Sequence, residues 1–254
     1  MVEDPGARAP SHTLPSRVKA SGIFDGLRAG LAAVLPIAAL LLIPAVVSSG
    51  AWLWPRGLWF VGVYGAISLV GSVTIAIFRP ANFRVRQQSV VAARERKQPL
   101  IDAVGSAVLI AYSFAWLVFI PLDVFQLHLL PRPGTVVSAI GGACVLLGAL
   151  LNNIAIWQNP FATPNVQDQT AQGQRVIDTG VYGVIRHPIY ASNLLLFGGA
   201  ALWLGSYAAF IGIAVLVVAT AGRIAIEESH LRANLPGYVE YMKRVRSRLI
   251  PFVL

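Results

Sequence analysis

Long apolar stretches without charge alternate with short polar, basic stretches along this chain. A helix needs about 20 mostly apolar residues to cross a bilayer. Four apolar stretches have about that length, and they predict membrane helices over residues 29–50, 57–78, 103–122 and 135–157. The last of these carries Gly141, Gly142 and Gly148, which favour close contact between membrane helices.

A further apolar region, residues 188–222, is too long for one crossing. Leu204-Gly205-Ser206 interrupts it, so we expect a helical hairpin with short arms over about 190–204 and 207–223. The pattern as a whole predicts an all-α, polytopic membrane bundle. It contains about six membrane helices, and the hairpin forms its C-terminal part.

Composition supports a membrane protein. Hydrophobic residues make up 56% of the 254 residues and charged residues 12%, whereas soluble domains carry about 25% charged residues. The formal net charge is +9. Because the basic residues lie between apolar stretches, we interpret this charge as attraction to anionic membrane lipids, and we expect no nucleic acid partner.

The positions of the basic residues predict the orientation in the membrane. With an even number of spans, every large basic cluster falls on one side, and Arg56 and Arg132 are alone on the other. Lysine and arginine mark the cytoplasmic side of a membrane protein. We therefore expect an integral membrane protein, in a bacterial inner membrane, with both termini in the cytoplasm.

Metal chemistry is not expected. Cys144 is the single cysteine and lies within an apolar stretch, while His12, His128, His187 and His230 are scattered along the chain. None of these spacings suits a zinc site.

Candidate chemistry begins at residues 180–190, where Tyr182, Arg186, His187 and Tyr190 stand between a polar segment and an apolar one. One interpretation is structural: a snorkelling arginine, interfacial tyrosines and a proline in the first turn of a helix. It leaves the histidine and the glycine-rich turn before it unexplained. The alternative is an aromatic pocket at a helix N-terminus, where free N–H groups favour an anion.

A second polar cluster follows the hairpin. Arg223 and Glu227 are four residues apart, so on a helix they share one face. They could form only an intrahelical ion pair, or they could bind a substrate anion and a cationic cofactor. We expect Glu228 to face solvent or a backbone donor. For residues 236–251, which include Tyr238 and Tyr241, we favour an amphipathic helix at the membrane surface that could also cover a pocket.

Several motifs in order carry a family resemblance. They are Arg186-His187-Pro188-Ile189-Tyr190, Glu227-Glu228-Ser229-His230-Leu231, Pro236-Gly237-Tyr238-Val239-Glu240-Tyr241 and Arg248-Leu249-Ile250-Pro251. They resemble the isoprenylcysteine carboxyl methyltransferase family in its bacterial branch, which is related to phospholipid and thiol methyltransferases of membranes. The resemblance covers about residues 155–254.

The resemblance implies S-adenosylmethionine as the methyl donor and a cytoplasmic pocket for it. Arg223 is implied to bind the acceptor, and Arg223 and Glu227 are implied to be catalytic. The donor contacts implied are Gln167, Gln174, Arg175, Val176, Ile177, Tyr182, His187, Pro188, Ile189, Tyr190 and Glu227.

The apolar pattern and the resemblance together divide the chain. Residues 1–24 are expected to be a disordered basic cytoplasmic tail. Residues 25–100 would hold two additional membrane helices and a basic cytoplasmic loop, of which 79–100 could form an interfacial helix. Residues 101–254 would be the methyltransferase core, with the catalytic region at 158–254.

The implied partners are membrane lipids and a lipophilic small molecule or lipid-modified acceptor, which would arrive sideways from the bilayer. Two other functions stay open. The protein could be an NADPH-dependent membrane reductase of the sterol-reductase type, because Arg175 and Arg186 could hold a 2′-phosphate. It could also be a non-catalytic membrane module, because the first two spans carry no recognisable chemistry.

Overall fold

The computed structural model describes residues 16–50, 53–95, 100–161 and 173–252, and these form a bundle of α-helices. The helices are α1 Ser16–Ser49, α2 Pro55–Phe78, α3 Pro80–Glu95, α4 Leu100–Leu122, α5 Thr135–Gln158, α6 Pro188–Leu204, α7 Tyr207–Asn234 and α8 Tyr238–Arg244. A π-helical turn, Asp123–Leu127, extends α4, and a 3₁₀ turn, Gly180–Gly183, precedes α6.

The predicted membrane helices are confirmed. Within the described residues, α1, α2, α4 with its π-helical turn, α5 and α7 are long and apolar enough to cross a membrane. α6 has 17 residues, and a helix of that length reaches about 25 Å. The chain is therefore an all-α integral membrane protein, and its described residues include five long apolar helices and a shorter sixth in the predicted hairpin.

Lipid-facing and core residues are distributed as expected for a membrane bundle. Large apolar side chains such as Val47, Val70 and Val218 are exposed on the outside of the helices, where hydrocarbon would cover them. The core is formed by residues of six helices that pack together, among them Leu41, Phe60, Ile120, Val145, Leu204 and Leu216.

α5 and α6 approach each other closely because glycines line their contact. A Cβ added at Gly148 would lie 2.8 Å from both the Leu196 nitrogen and the Ser192 oxygen. On the facing helix, a Cβ at Gly199 would lie 2.6 Å from the Gly141 oxygen. The close contact predicted for these glycines is confirmed.

The hairpin turn between α6 and α7 forms where the sequence predicted it. Gly205 ends α6 with φ +102°, a conformation that glycine adopts without strain. The Ser206 hydroxyl accepts a hydrogen bond from the Ala209 N–H, which caps α7. The same hydroxyl lies 2.6 Å from the buried Asp123 carboxylate, so the π-helical turn and the hairpin turn are tied together.

Two sequence-based boundaries need correction. α1 begins at Ser16, so residues 16–24 are helical rather than disordered; residues 1–15 lie outside the described residues. α7 does not end near residue 223 but continues to Asn234. Glu227 and Glu228 therefore lie within α7. The basic segment after α2 does form a helix, α3.

Candidate active site

A cavity of about 470 Å³ lies between the polar ends of α3, α5, α6, α7 and α8 and the side of α4. Its walls are of two kinds. Polar residues come mainly from the segment before α6 and from α7, while Leu109, Ile110 and Phe114 of α4 supply an apolar side. Such a mixture suits a site that holds a polar and an apolar molecule together.

The start of α6 is held by the C-terminal segment. The Arg186 N–H donates to the Ser247 carbonyl at 3.0 Å, and the His187 N–H donates to the Arg248 carbonyl at 2.9 Å. Pro188 then begins the helix with the backbone angle that proline favours. These bonds place Ile189 and Tyr190, both of which line the cavity, in the first turn of α6.

Glu228 is the centre of a buried ionic network, which corrects the expectation that it faces solvent. Its side chain is 0% exposed. Arg186 Nε donates to Glu228 Oε1 at 2.8 Å, and His187 Nε2 lies 3.1 Å from the same oxygen. A carboxylate only accepts hydrogen bonds, so for this contact His187 carries its proton on Nε2.

The remaining contacts of the network fix the C-terminal segment. Arg186 Nη1 also donates to the carbonyls of Val245 and Arg246, each at 2.7 Å. Arg248 Nη2 lies 3.4 Å from Glu228 Oε2. These Arg186 donors are committed to protein groups, so the guanidinium acts mainly as a brace of the cavity wall.

Glu227 faces the cavity, unlike its neighbour. The Tyr190 hydroxyl donates to Glu227 Oε2 at 2.8 Å. Arg223, one turn earlier on α7, is also hydrogen-bonded to Tyr190. The structure thus joins the two polar clusters predicted from the sequence, with Tyr190 between the arginine and the carboxylate.

Tyrosines close the cavity on the side of the C-terminal segment. Tyr241 donates to the Tyr182 carbonyl at 2.8 Å, and Tyr238 and Tyr241 are both buried. α8 thus packs these rings into the site, which agrees with the pocket-covering role considered for residues 236–251. Burial raises the pKa of Tyr182, Tyr238 and Tyr241 above the usual value of a phenol. All three hydroxyls are neutral near pH 7.

Most of the predicted site residues come together around this one cavity. Gln167 lies outside the described residues. The predicted residues that line the cavity are Gln174, Arg175, Val176, Ile177, Tyr182, His187, Pro188, Ile189, Tyr190, Arg223 and Glu227.

The sequence did not single out several other lining residues, among them Arg86 of α3 and Asn152 of α5. Arg86 is one of several arginines in a basic stretch, so no local signal separates it from its neighbours. Asn152 lies near the polar end of an apolar helix, a position that could have marked it. Asn159, which follows α5 and belongs to an Asn-Pro-Phe segment that resembles the family, also lines the cavity.

A second, apolar groove of about 680 Å³ runs between α1, α4 and the start of α7. Its lining includes Leu40, Trp116 and Leu122, and polar atoms contribute little to its surface. Phe114 lines both this groove and the polar cavity. The two spaces therefore adjoin along α4.

Comparison with known proteins concerns the part of the chain that builds most of this site. Residues 136–236 match the family model described as phospholipid methyltransferase. Over this region the chain is similar to a family of membrane methyltransferases, which agrees with the resemblance carried by the motifs. The region contains α6, α7 and nearly all of α5, whereas α1 to α4 lie outside it.

A curated relative agrees with this match. Over 120 residues the chain is 32% identical to protein-S-isoprenylcysteine O-methyltransferase B of Arabidopsis thaliana. The aligned stretch covers 46% of this chain and 60% of the plant protein. The chain thus spans less than two thirds of that relative's length.

Proposed function

We propose that this protein is an S-adenosylmethionine-dependent methyltransferase that acts on a lipophilic acceptor at the cytoplasmic surface of a membrane. The observation that carries the proposal is the arrangement of Arg223, Tyr190 and Glu227 in a cavity with one polar and one apolar side. The match of residues 136–236 to a methyltransferase family supports it.

The residues present fit the donor. S-adenosylmethionine combines a sulfonium cation, an ammonium, a carboxylate and an adenosine. Glu227 can hold the ammonium, and the aromatic rings of Tyr182 and Tyr190 can lie near the sulfonium. The first turn of α6 can hold the carboxylate, because backbone N–H groups there have no partner within the helix. The cavity volume of about 470 Å³ lies within the usual range for small-molecule sites.

The donor, when bound, supplies a methyl group whose bond to sulfur breaks as a bond to the acceptor atom forms, and a neutral thioether leaves. The protein's part is to position the two reactants and to exclude water. Arg223 lies beside the Tyr190–Glu227 pair, where it can orient an acceptor oxygen. Its side chain would hold that oxygen in line with the sulfur–methyl bond.

The acceptor arrives from the bilayer in this proposal. The apolar groove and the polar cavity share Phe114 of α4 as a lining residue, and a hydrocarbon chain would lie along α4 while its head group enters the cavity. A carboxylate acceptor needs no general base.

Donor binding is the first test. Titration calorimetry in nanodiscs is expected to detect S-adenosylmethionine binding to the wild type. Glu227→Ala is expected to weaken it at least tenfold, since a charge-assisted hydrogen bond contributes about 1.5–3 kcal/mol. Glu240→Ala removes an exposed carboxylate of α8 and serves as the matched control.

NADPH is the comparison ligand in the same titration. Binding of NADPH with no response to S-adenosylmethionine would replace the proposal with a membrane reductase. No heat from either ligand would favour a non-catalytic module.

A second test asks whether Arg223 binds the acceptor. Arg223→Ala is expected to raise KM for the acceptor at least tenfold while the Kd of the donor stays within about twofold, because a charge-assisted bond to the acceptor is lost. Arg232→Ala, on the same helix and outside the cavity, is the control. Weaker donor binding with unchanged acceptor KM would contradict the assignment.

A further inference from the structure

Helix α2 is bound to the site-bearing helices at both of its ends, although it lies outside the region that matches the methyltransferase family. At its N-terminal end, Trp203 of α6 donates to the Arg56 carbonyl at 2.9 Å, and Arg56 Nη1 donates to the Ser138 hydroxyl of α5 at 3.2 Å. The Arg56 guanidinium carbon also lies 5.9 Å from the centroid of the Trp203 ring.

The opposite end of α2 pairs a second arginine with a second tryptophan, and this pair lies closer to the cavity. Arg79 follows the last residue of α2, and its guanidinium carbon lies 5.0 Å from the centroid of the Trp157 ring in the last turn of α5. A cation over an indole ring is attracted to the π electrons of the ring. Two turns earlier, Gly71 lies directly against the Asn153 amide, which an added Cβ would overlap.

The position beside the last turn of α5 favours a cation for a second reason. The carbonyl groups at the C-terminal end of a helix carry the negative end of its dipole. The Arg79 guanidinium is thus attracted both to the Trp157 ring and to the end of α5 that contains it.

The end of α5 in turn fixes the 3₁₀ turn in the cavity wall. Gln158 follows Trp157, and its Oε1 accepts a hydrogen bond from the Val181 N–H at 3.0 Å. Asn159 is hydrogen-bonded to the side chain of Tyr182, which lines the cavity. The two residues that follow Trp157 therefore bind the turn that carries Tyr182.

We propose that Arg79 is a positioning residue of the site: its guanidinium holds Trp157, and through the end of α5 it fixes the 3₁₀ turn and the Tyr182 wall of the cavity. The inference gives the second membrane helix a role in the site. The effect on donor binding rests on the proposed function, whereas the effect on the turn does not.

Hydrogen exchange in nanodiscs, followed by mass spectrometry of a peptide that contains residues 180–185, measures the order of the turn directly. In Arg79→Gln these amides are expected to exchange about threefold faster, because the loss of a cation–π contact at an exposed site loosens the end of α5 by a factor of that size. The Kd of S-adenosylmethionine, measured by titration calorimetry, is expected to rise by a similar factor.

Two further variants test whether the effect passes through the indole ring. Arg79→Lys keeps a cation over the ring and is expected to restore most of both values. Trp157→Leu is expected to give the same two changes as Arg79→Gln. The double variant is expected to be no worse than Trp157→Leu alone, because both substitutions remove one shared contact.

Arg56→Gln is the matched control, since it removes the cation–π contact at the other end of α2, about 35 Å away along the helix. It is expected to lower Tm and to leave the exchange of residues 180–185 and the donor Kd unchanged. Equal effects of Arg56→Gln and Arg79→Gln on these two values would indicate a general loss of packing and would overturn the inference.

Three other results would also overturn it. They are unchanged exchange of residues 180–185 in Arg79→Gln, faster exchange with an unchanged donor Kd, and fully additive effects in the double variant. If the wild type does not bind S-adenosylmethionine but the exchange changes as expected, the proposed methyltransferase is wrong and the positioning of the turn by Arg79 stands.

Discussion

Glu227 and Glu228 are adjacent in the sequence and have opposite surroundings. Glu227 lines the cavity and accepts a hydrogen bond from Tyr190. Glu228 turns away from it into the bundle, where Arg186 and His187 surround it. On a helix, successive residues point about 100° apart, so one carboxylate is available to a ligand and the other is structural.

The buried network around Glu228 predicts a large effect on stability. Glu228→Gln removes the charge that compensates Arg186, and removing one partner of a buried ion pair costs about 3–5 kcal/mol. We therefore expect a clear fall in Tm, measured by thermal unfolding in detergent. An unchanged Tm would contradict the bracing role.

The control for this prediction is an exposed ion pair. Arg244 Nη2 lies 2.6 Å from Asp178 Oδ2, but the two side chains are 64% and 34% exposed. Asp178→Asn is expected to cost about 1 kcal/mol or less, because solvent screens such pairs. The contribution of an ion pair to stability thus depends on its burial and not on the distance between its charges.

For individual residues, the sequence predicted a place in the site where residue type and spacing left few alternatives. The spacing of Arg223 and Glu227 placed them on one helix face, and the structure brings both to the cavity. Spacing alone did not reveal the partners of Glu228, since Arg186 lies 42 residues away. Nor did it distinguish Arg86 from the other arginines of its stretch.

The helices of the protein are determined by the length of the apolar segments and by the residues that end each helix. Most predicted spans agree closely with the observed helices. In lipid, the backbone N–H and C=O groups of an apolar segment must be hydrogen-bonded within the protein, and an α-helix does this within the segment itself. The predicted and observed boundaries differ where a helix continues with polar residues beyond the apolar segment. α1 is extended in this way at its N-terminal end, and α7 at its C-terminal end.

The glycine contact between α5 and α6 gives a prediction for these elements. Gly148→Ala places a methyl group 2.8 Å from backbone atoms of Leu196 and Ser192, and overpacking of this kind costs about 1–3 kcal/mol. We expect a lower Tm. Because α6 carries Tyr190, we also expect weaker donor binding.

Gly62→Ala is the matched control, because a Cβ at Gly62 meets no atom within 4 Å. Alanine favours a helix over glycine by about 1 kcal/mol, so this variant is expected to be neutral or slightly stabilising. Equal loss of stability in both variants would show that the close approach is unimportant.

The basic clusters predict the orientation of the whole molecule in the membrane. Helices α3 and α8 and the candidate site are expected on the cytoplasmic side, and the turn after α4 on the other. In a Cys144→Ser background, Glu240→Cys should react with a membrane-impermeant maleimide only from the cytoplasmic side. Leu129→Cys, in the opposite exposed turn, should react only from the other side.

Reaction of both cysteines from one side would contradict the predicted orientation. The double labelling also tests the crossings predicted after α4, because α5, α6 and α7 lie between the two positions. Three crossings in that stretch place the two cysteines on opposite sides.

The sequence alone determined the class of fold, the membrane spans, the hairpin and the motifs by which the C-terminal part resembles a methyltransferase family. These follow from local properties: apolar length, turn residues and short motifs. Only the tertiary structure decided which side chains share the cavity. It separated Glu228 from Glu227, placed α8 against the site and brought Arg86 from α3, because such contacts depend on how distant helices pack.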